Sequence, residues 1–156
     1  MEPAWAGLCS KAGGRTVAES SPCFVLDSSA ILALIEDEEG AERVEQVSRS
    51  STVIVPAVAL MEVFYILRQE QGQAEAYRNY AYARELADEI GWRLDEPTLL
   101  RAGRFKADHR VSLADAWIAA TAVQRGATLL HKDPEFEALE ADVRMEALPY
   151  KGNRPG

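Results

Sequence analysis

The chain has 156 residues, 47% hydrophobic and 27% charged, with a formal net charge of −8. This is the size and composition of one globular domain, which excludes a disordered or low-complexity chain. No apolar run approaches the roughly 20 residues that span a bilayer, and MEPAWAGLCSKAGG lacks the basic-then-apolar order of a signal peptide, so a cytoplasmic protein is expected.

Two cysteines, Cys9 and Cys23, match neither a zinc-ligand spacing nor a disulfide framework, and their scarcity fits a reducing compartment. The negative charge weighs against broad nucleic-acid affinity, which usually comes from a basic surface.

Residues 1–22 are rich in Gly, Ala and Ser without periodicity and read as a flexible leader; 151–156 read as a flexible tail. One domain is left over 23–150. CFVLD reads as a buried strand, followed by helix SSAILALIE and polar helix AERVEQVSRS. TVIV is the next strand, and Pro56 suits the first turn of helix PAVALMEVFYILRQ, which stops near Gly72. A long amphipathic helix over about 73–90 and a short strand GWRLD come next. Helix 96–110 precedes helix SLADAWIAATAVQRG, whose Gly suits a helix stop. TLLHKD reads as a strand, PEFEALE as a short helix and VRMEAL as a last strand. Strands alternating with helices indicate an α/β fold with a mainly parallel sheet. Ligands in such sheets bind at the carboxyl ends of strands, and two strands end at Asp27 and Asp133.

Four acids stand out. Glu62 interrupts the apolar run AVALMEVFYIL, and its helical neighbours Val58, Ala59, Tyr65 and Ile66 offer no partner. A carboxylate buried that way needs compensation from another element; otherwise the helix rolls and Glu62 reaches solvent. Asp115 is the only ionisable group in SLADAWIAATAV, although Ser112-x-x-Asp115 also fits a capping box. Asp27 and Asp133 each precede a helix, where capping, by Asp27 or Ser28 in the first case, is the favoured reading of either acid taken alone, the more so with Pro134 after Asp133. If the four converge, their repulsion demands a cation. An all-oxygen set suits Mg²⁺ or Mn²⁺ better than zinc, and such a site serves phosphoryl chemistry.

The segments FVLDSSAILALI, VPAVALMEVFYIL, SLADAWIAATA and LLHKDPEF, in this order, resemble the PIN domain, and more narrowly the VapC-type ribonuclease toxins of prokaryotic toxin–antitoxin pairs. The resemblance spans about residues 23–148 and leaves the leader outside, as an over-called start site would. It implies a single domain whose parallel sheet has four or five strands flanked by helices. It implies catalytic, metal-holding acids at Asp27, Glu62, Asp115 and Asp133, with the Ser29 hydroxyl helping to position water or phosphate. It further implies Mg²⁺- or Mn²⁺-dependent hydrolysis of RNA, a cognate antitoxin and a homodimer.

For an acidic protein to hold RNA, a local basic rim is needed. The helix before Asp115 carries Arg101, Arg104, Lys106, His109 and Arg110, and Lys132 adjoins Asp133. Arg104, Arg110 and Lys132 are the candidates for the RNA backbone; an ordinary solvated face is the plainer reading. His109 reads as surface, and Trp117 and Tyr65 as core rather than base-stacking platforms. Two competitors remain. Aspartyl-phosphate chemistry of the haloacid-dehalogenase kind wants Asp-x-Asp, and Asp27-Ser28-Ser29 lacks the second acid. A catalytically silent module would use the acidic pocket to bind a basic peptide.

Overall fold

The computed structural model describes residues 21–152. Cys9, most of the expected leader and the last four residues of the expected tail lie outside that range.

Three apolar, partly β-branched runs make the central strands: β1 (Cys23–Leu26), β2 (Thr52–Pro56) and β4 (Thr128–His131). All of β2 is buried, as expected of a strand covered on both faces. Short β3 (Glu89–Gly91) and β5 (Met145–Ala147) complete a five-stranded sheet in the order β3-β2-β1-β4-β5. Every pairing is parallel, with Val25 opposite both Ile54 and Leu129. The chain thus runs outward from β1 to β3, then crosses back to build β4 and β5 on the other side. The reversal falls between β1 and β4, so the crevice for a ligand lies at their carboxyl ends.

The helices are α1 (Ser28–Ile35), α2 (Ala41–Ser50), α3 (Ala57–Gln71), α4 (Gln73–Leu86), α5 (Glu96–Asp108) and α6 (Leu113–Gln124). A 3₁₀ turn, Pro134–Leu139, follows β4. Helices α3 and α4 reverse direction through Gly72 alone, whose φ of +91° is open to glycine at little cost. Phe64 of α3 meets Tyr77 and Tyr80 of α4 edge to face at 5.1 and 6.1 Å. Helix α6 buries Ala116, Ile118, Ala119, Ala120 and Ala122, packing against α5, the sheet and α3. Small side chains let it approach closely, and Asp115 is the one ionisable group that the helix carries.

Two expectations need correction. The strand expected at GWRLD lies two residues earlier, and α4 stops at Leu86. Asp88 explains the shift: its N–H donates to Val53 O at 2.9 Å and its carboxylate accepts from Val53 N at 2.9 Å, so pairing with β2 starts before Gly91. Cys23 is also disulfide-bonded, against the reading of an unpaired cysteine complement.

Candidate metal centre at the carboxyl ends of β1 and β4

Asp27 directly follows β1 and caps α1, accepting from Ser29 N at 3.1 Å. The capping role and the site role coincide, because one oxygen does each job. Oδ2 takes the Ser29 backbone N–H and hydroxyl. Oδ1 is buried and has no hydrogen-bond partner among the described residues. Burial pushes the carboxyl up to about 6, against the lowering effect of Ser29.

Glu62 lies in the second turn of α3, half-buried. The outer face of that helix is taken by Met61 and Tyr65, which are exposed, so Glu62 turns inward rather than rolling to solvent. Its compensation comes from another element, as the apolar run demanded: Ser28 Oγ, at the start of α1, donates to Glu62 Oε1 at 3.2 Å. Burial raises its pKa, and the nearby Asp115 charge raises it further.

Asp115 is buried in the first turn of α6, where Ser112 Oγ accepts from the Asp115 N–H at 3.0 Å. That is the Ser112 half of the expected capping box. Burial first, then the charge of Asp27, pushes the Asp115 carboxyl up to about 7.

These three acids converge. Asp27, Glu62 and Asp115 each offer an oxygen, all within 4.8 Å of one another. Among the described residues no lysine, arginine or histidine forms an ion pair with any of them. Asp133 approaches from the β4 side, two residues beyond the strand, with Oδ1 accepting from Glu135 N at 2.9 Å as a helix cap. It forms a second group with Asp115 and Glu135, again within 4.8 Å. Asp115 belongs to both groups and so joins the four acids into one site. The donor set fits a divalent cation: hard oxygens only, mutually raised pKa values, and an orphaned Asp27 Oδ1.

A family model, the PIN domain, matches residues 24–142. The chain belongs to the PIN-domain family. Solved structures of the same shape include VapBC2 from Rickettsia felis bound to a promoter DNA fragment: 14% identity, TM-score 0.65, covering 81% of this chain and 99% of that one. DNA-bound VapBC from Salmonella typhimurium gives 19% and 0.65, over 81% and 98%. VapC20 from Mycobacterium tuberculosis, described as a sarcin-ricin loop cleaving toxin, gives 18% and 0.64, over 81% and 99%. At such identities the likeness establishes a shared fold.

Within the PIN domain, the Ser29 hydroxyl does more than its position suggested. It donates to Asp27 and accepts from Lys132 N at 2.8 Å, linking the loops after β1 and β4. His131 is fully buried, and its Nδ1 accepts from Asp133 N at 3.2 Å. Two residues were missed at the sequence level. Neither Ser28 nor Glu135 is a site candidate in the sequence, since a serine at a helix start suits a cap and an acid in a first helical turn is the ordinary complement to the helix dipole.

The basic candidates separate. Arg104 and Arg110 are exposed at the end of α5 and in the loop leading to Ser112. Lys132 is different: its ammonium bonds Glu38 at 2.9 Å and Glu39 O at 2.8 Å, and only 5% of its side chain is exposed. Trp117 packs against the core as expected, whereas Tyr65 is 43% exposed. His109 faces Asp142 at 3.8 Å. No helix among the described residues is long and apolar enough to cross a membrane.

Proposed function

We propose that this PIN domain is a divalent-cation-dependent ribonuclease and the toxin of a type II toxin–antitoxin pair, acting in the cytoplasm. The observation that carries the reading is the meeting of Asp27, Glu62 and Asp115 within 4.8 Å around an unpartnered, buried Asp27 oxygen. Three carboxylates in a dry crevice repel one another, and the arrangement persists at neutral pH when a cation neutralises them.

Asp27, Glu62 and Asp115 would hold the principal ion, Mg²⁺ or Mn²⁺. Asp133, with Glu135 beside it, would complete the site from the β4 side. When bound, the ion supplies Lewis-acid chemistry to water and to the phosphodiester. The chain's own residues do the positioning. Ser28 steers Glu62, Ser112 fixes the helix start that carries Asp115, and Ser29 holds Asp27 and the β4 loop in register. Arg104 and Arg110 would contact the RNA backbone; Lys132 would have to leave Glu38 to reach a phosphate.

The toxin assignment is supported by solved structures of the same shape described as a member of the VapBC family of toxin–antitoxin systems and as a sarcin-ricin loop cleaving toxin. On that reading the partners are an RNA substrate, a cognate antitoxin and a second copy of the chain. Mg²⁺- or Mn²⁺-dependent cleavage of RNA by the purified protein tests it. Wild type should cleave and Asp27→Asn should not; equal rates would defeat the assignment. Wild type without metal-dependent cleavage would favour the silent, peptide-binding module.

A further inference from the structure

Beside the four acids lies a cavity of about 310 Å³, and Ser29 and Asp133 form the wall that it shares with them. Its other walls include Leu32, Ile66, Pro134 and Tyr150, an apolar lining with one flat aromatic face. The Tyr150 ring is backed by buried His131 at 6.3 Å between centroids. Burial, with the Glu137 carboxylate beside its hydroxyl, pushes the Tyr150 phenol up to about 12, so the ring stays neutral. Three glutamates also line the cavity. Glu38 is neutralised by the Lys132 ammonium at 2.9 Å and by Lys151. Glu36 and Glu70 form no ion pair among the described residues, although Glu36 shares a hydrogen bond with Glu38 and the Lys151 ammonium acts on both from a distance.

We propose that this cavity is the subsite for the nucleobase adjoining the scissile phosphate, and that Glu36 and Glu70 make it select guanine. The inference rests on the ribonuclease reading and goes further by naming the base. A phosphate held at Asp27, Glu62 and Asp115 carries its base one ribose away, and the cavity adjoins that site through Ser29, which bonds Asp27, and Asp133, which groups with Asp115. Single-stranded RNA is read in this manner, with bases turned out against aromatic faces and bonded along their edges. The edge chemistry then picks the base. Guanine presents two adjacent donors, N1–H and the 2-amino group, which one carboxylate accepts in a bidentate, charge-assisted pair. Adenine and cytosine set a single amino group beside a ring-nitrogen acceptor, and uracil sets N3–H between two carbonyl oxygens. Each of those places an acceptor against a carboxylate oxygen.

Mapping of cleavage sites on single-stranded RNA of mixed sequence, with Mg²⁺ or Mn²⁺, tests the proposal. Wild type should cut beside guanine, and inosine in its place, which lacks the 2-amino group, should lower kcat/KM roughly tenfold or more. The double variant Glu36→Gln, Glu70→Gln should still cleave with metal and lose that discrimination. Cutting without base preference, preference for another base, or discrimination surviving in the double variant would overturn the proposal. If no RNA is cut, the ribonuclease reading fails separately, and calorimetry with Mn²⁺ decides the cavity. Tighter binding of 5′-GMP than of 5′-IMP, abolished in the double variant, upholds a guanine site; equal binding overturns it. Tri-arginine binding that depends on Glu36 and Glu70, without GMP binding, also overturns it and assigns the cavity to a basic peptide.

Discussion

Ser29 Oγ accepts the backbone N–H of Lys132 at 2.8 Å across 103 residues of sequence, while its own hydrogen goes to Asp27. One hydroxyl therefore fixes the spacing between the carboxyl ends of β1 and β4, where the acids meet. Groups that orient ligands in this way commonly alter metal affinity or activity when lost, although they touch no metal themselves.

Ser29→Ala should weaken Mn²⁺ binding and RNA cleavage by roughly 10- to 100-fold. The Lys132 N–H loses its acceptor, so stability should also fall, by about 1 kcal/mol at this part-buried position. Ser29→Thr keeps the hydroxyl and should recover most of the cation affinity. Mn²⁺ titration alongside urea unfolding separates the two effects; an alanine variant with unchanged ion affinity would refute the link.

The metal-free protein should lose stability as pH rises from about 6.5 to about 8. Asp115 is raised to about 7 and Asp27 to about 6, both from 3.8, so the folded state holds these protons more tightly than the unfolded chain. Their contribution is complete below the unfolded value and disappears as pH climbs through the folded ones. His131, which burial keeps neutral, has the opposite slope at lower pH, where the unfolded chain takes up its proton, so the upper window is the cleaner one. Thermal melts in chelator should show the decline, and saturating Mg²⁺ should reduce it. A Tm that climbs over this range in chelator would contradict the shifts.

Asp115→Asn should separate stability from activity. Removing the charge relieves repulsion from Asp27 and Glu62, so the metal-free variant should melt higher than wild type at about pH 8, by roughly 2–4 °C per kcal/mol gained. The gap should narrow toward pH 6, where wild-type Asp115 is itself largely protonated. The same variant should bind divalent ions poorly and cleave no RNA. Lower stability than wild type at both pH values would mean that the carboxylate helps to hold the fold.

Charge reversal at Arg104 and Arg110 should reduce RNA affinity evenly across sequences. Each lost phosphate contact should also flatten the salt dependence, by about one unit in the slope of log K against log salt. Fluorescence titrations from low to moderate salt provide the measurement. An unchanged slope would remove both arginines from the interface.

The three principal acids were legible because each breaks a local rule. Glu62 is a lone charge in an apolar helix, Asp115 a lone charge in an alanine-rich one, and Asp27 sits where a parallel strand ends. Their convergence was not legible, since it depends on the order β3-β2-β1-β4-β5, which brings together residues separated by most of the domain. Glu135 escaped notice because helix-start acids are commonplace. The state of Lys132 was hidden for a related reason, as its partner Glu38 lies 94 residues earlier. The β3 boundary was misread because Gly91 and Trp92 look like a strand start, whereas Asp88 had already docked on β2.

The topology also sets when the pocket can exist. Asp27 N bonds Leu130 O at 3.1 Å, so the first strand of the domain completes its bonding only with the fourth. A ribosome that has made the first hundred residues has produced Asp27 and Glu62 but neither Asp115 nor the strand that sets their spacing. The set of acids that would hold a cation is therefore incomplete until synthesis is nearly over.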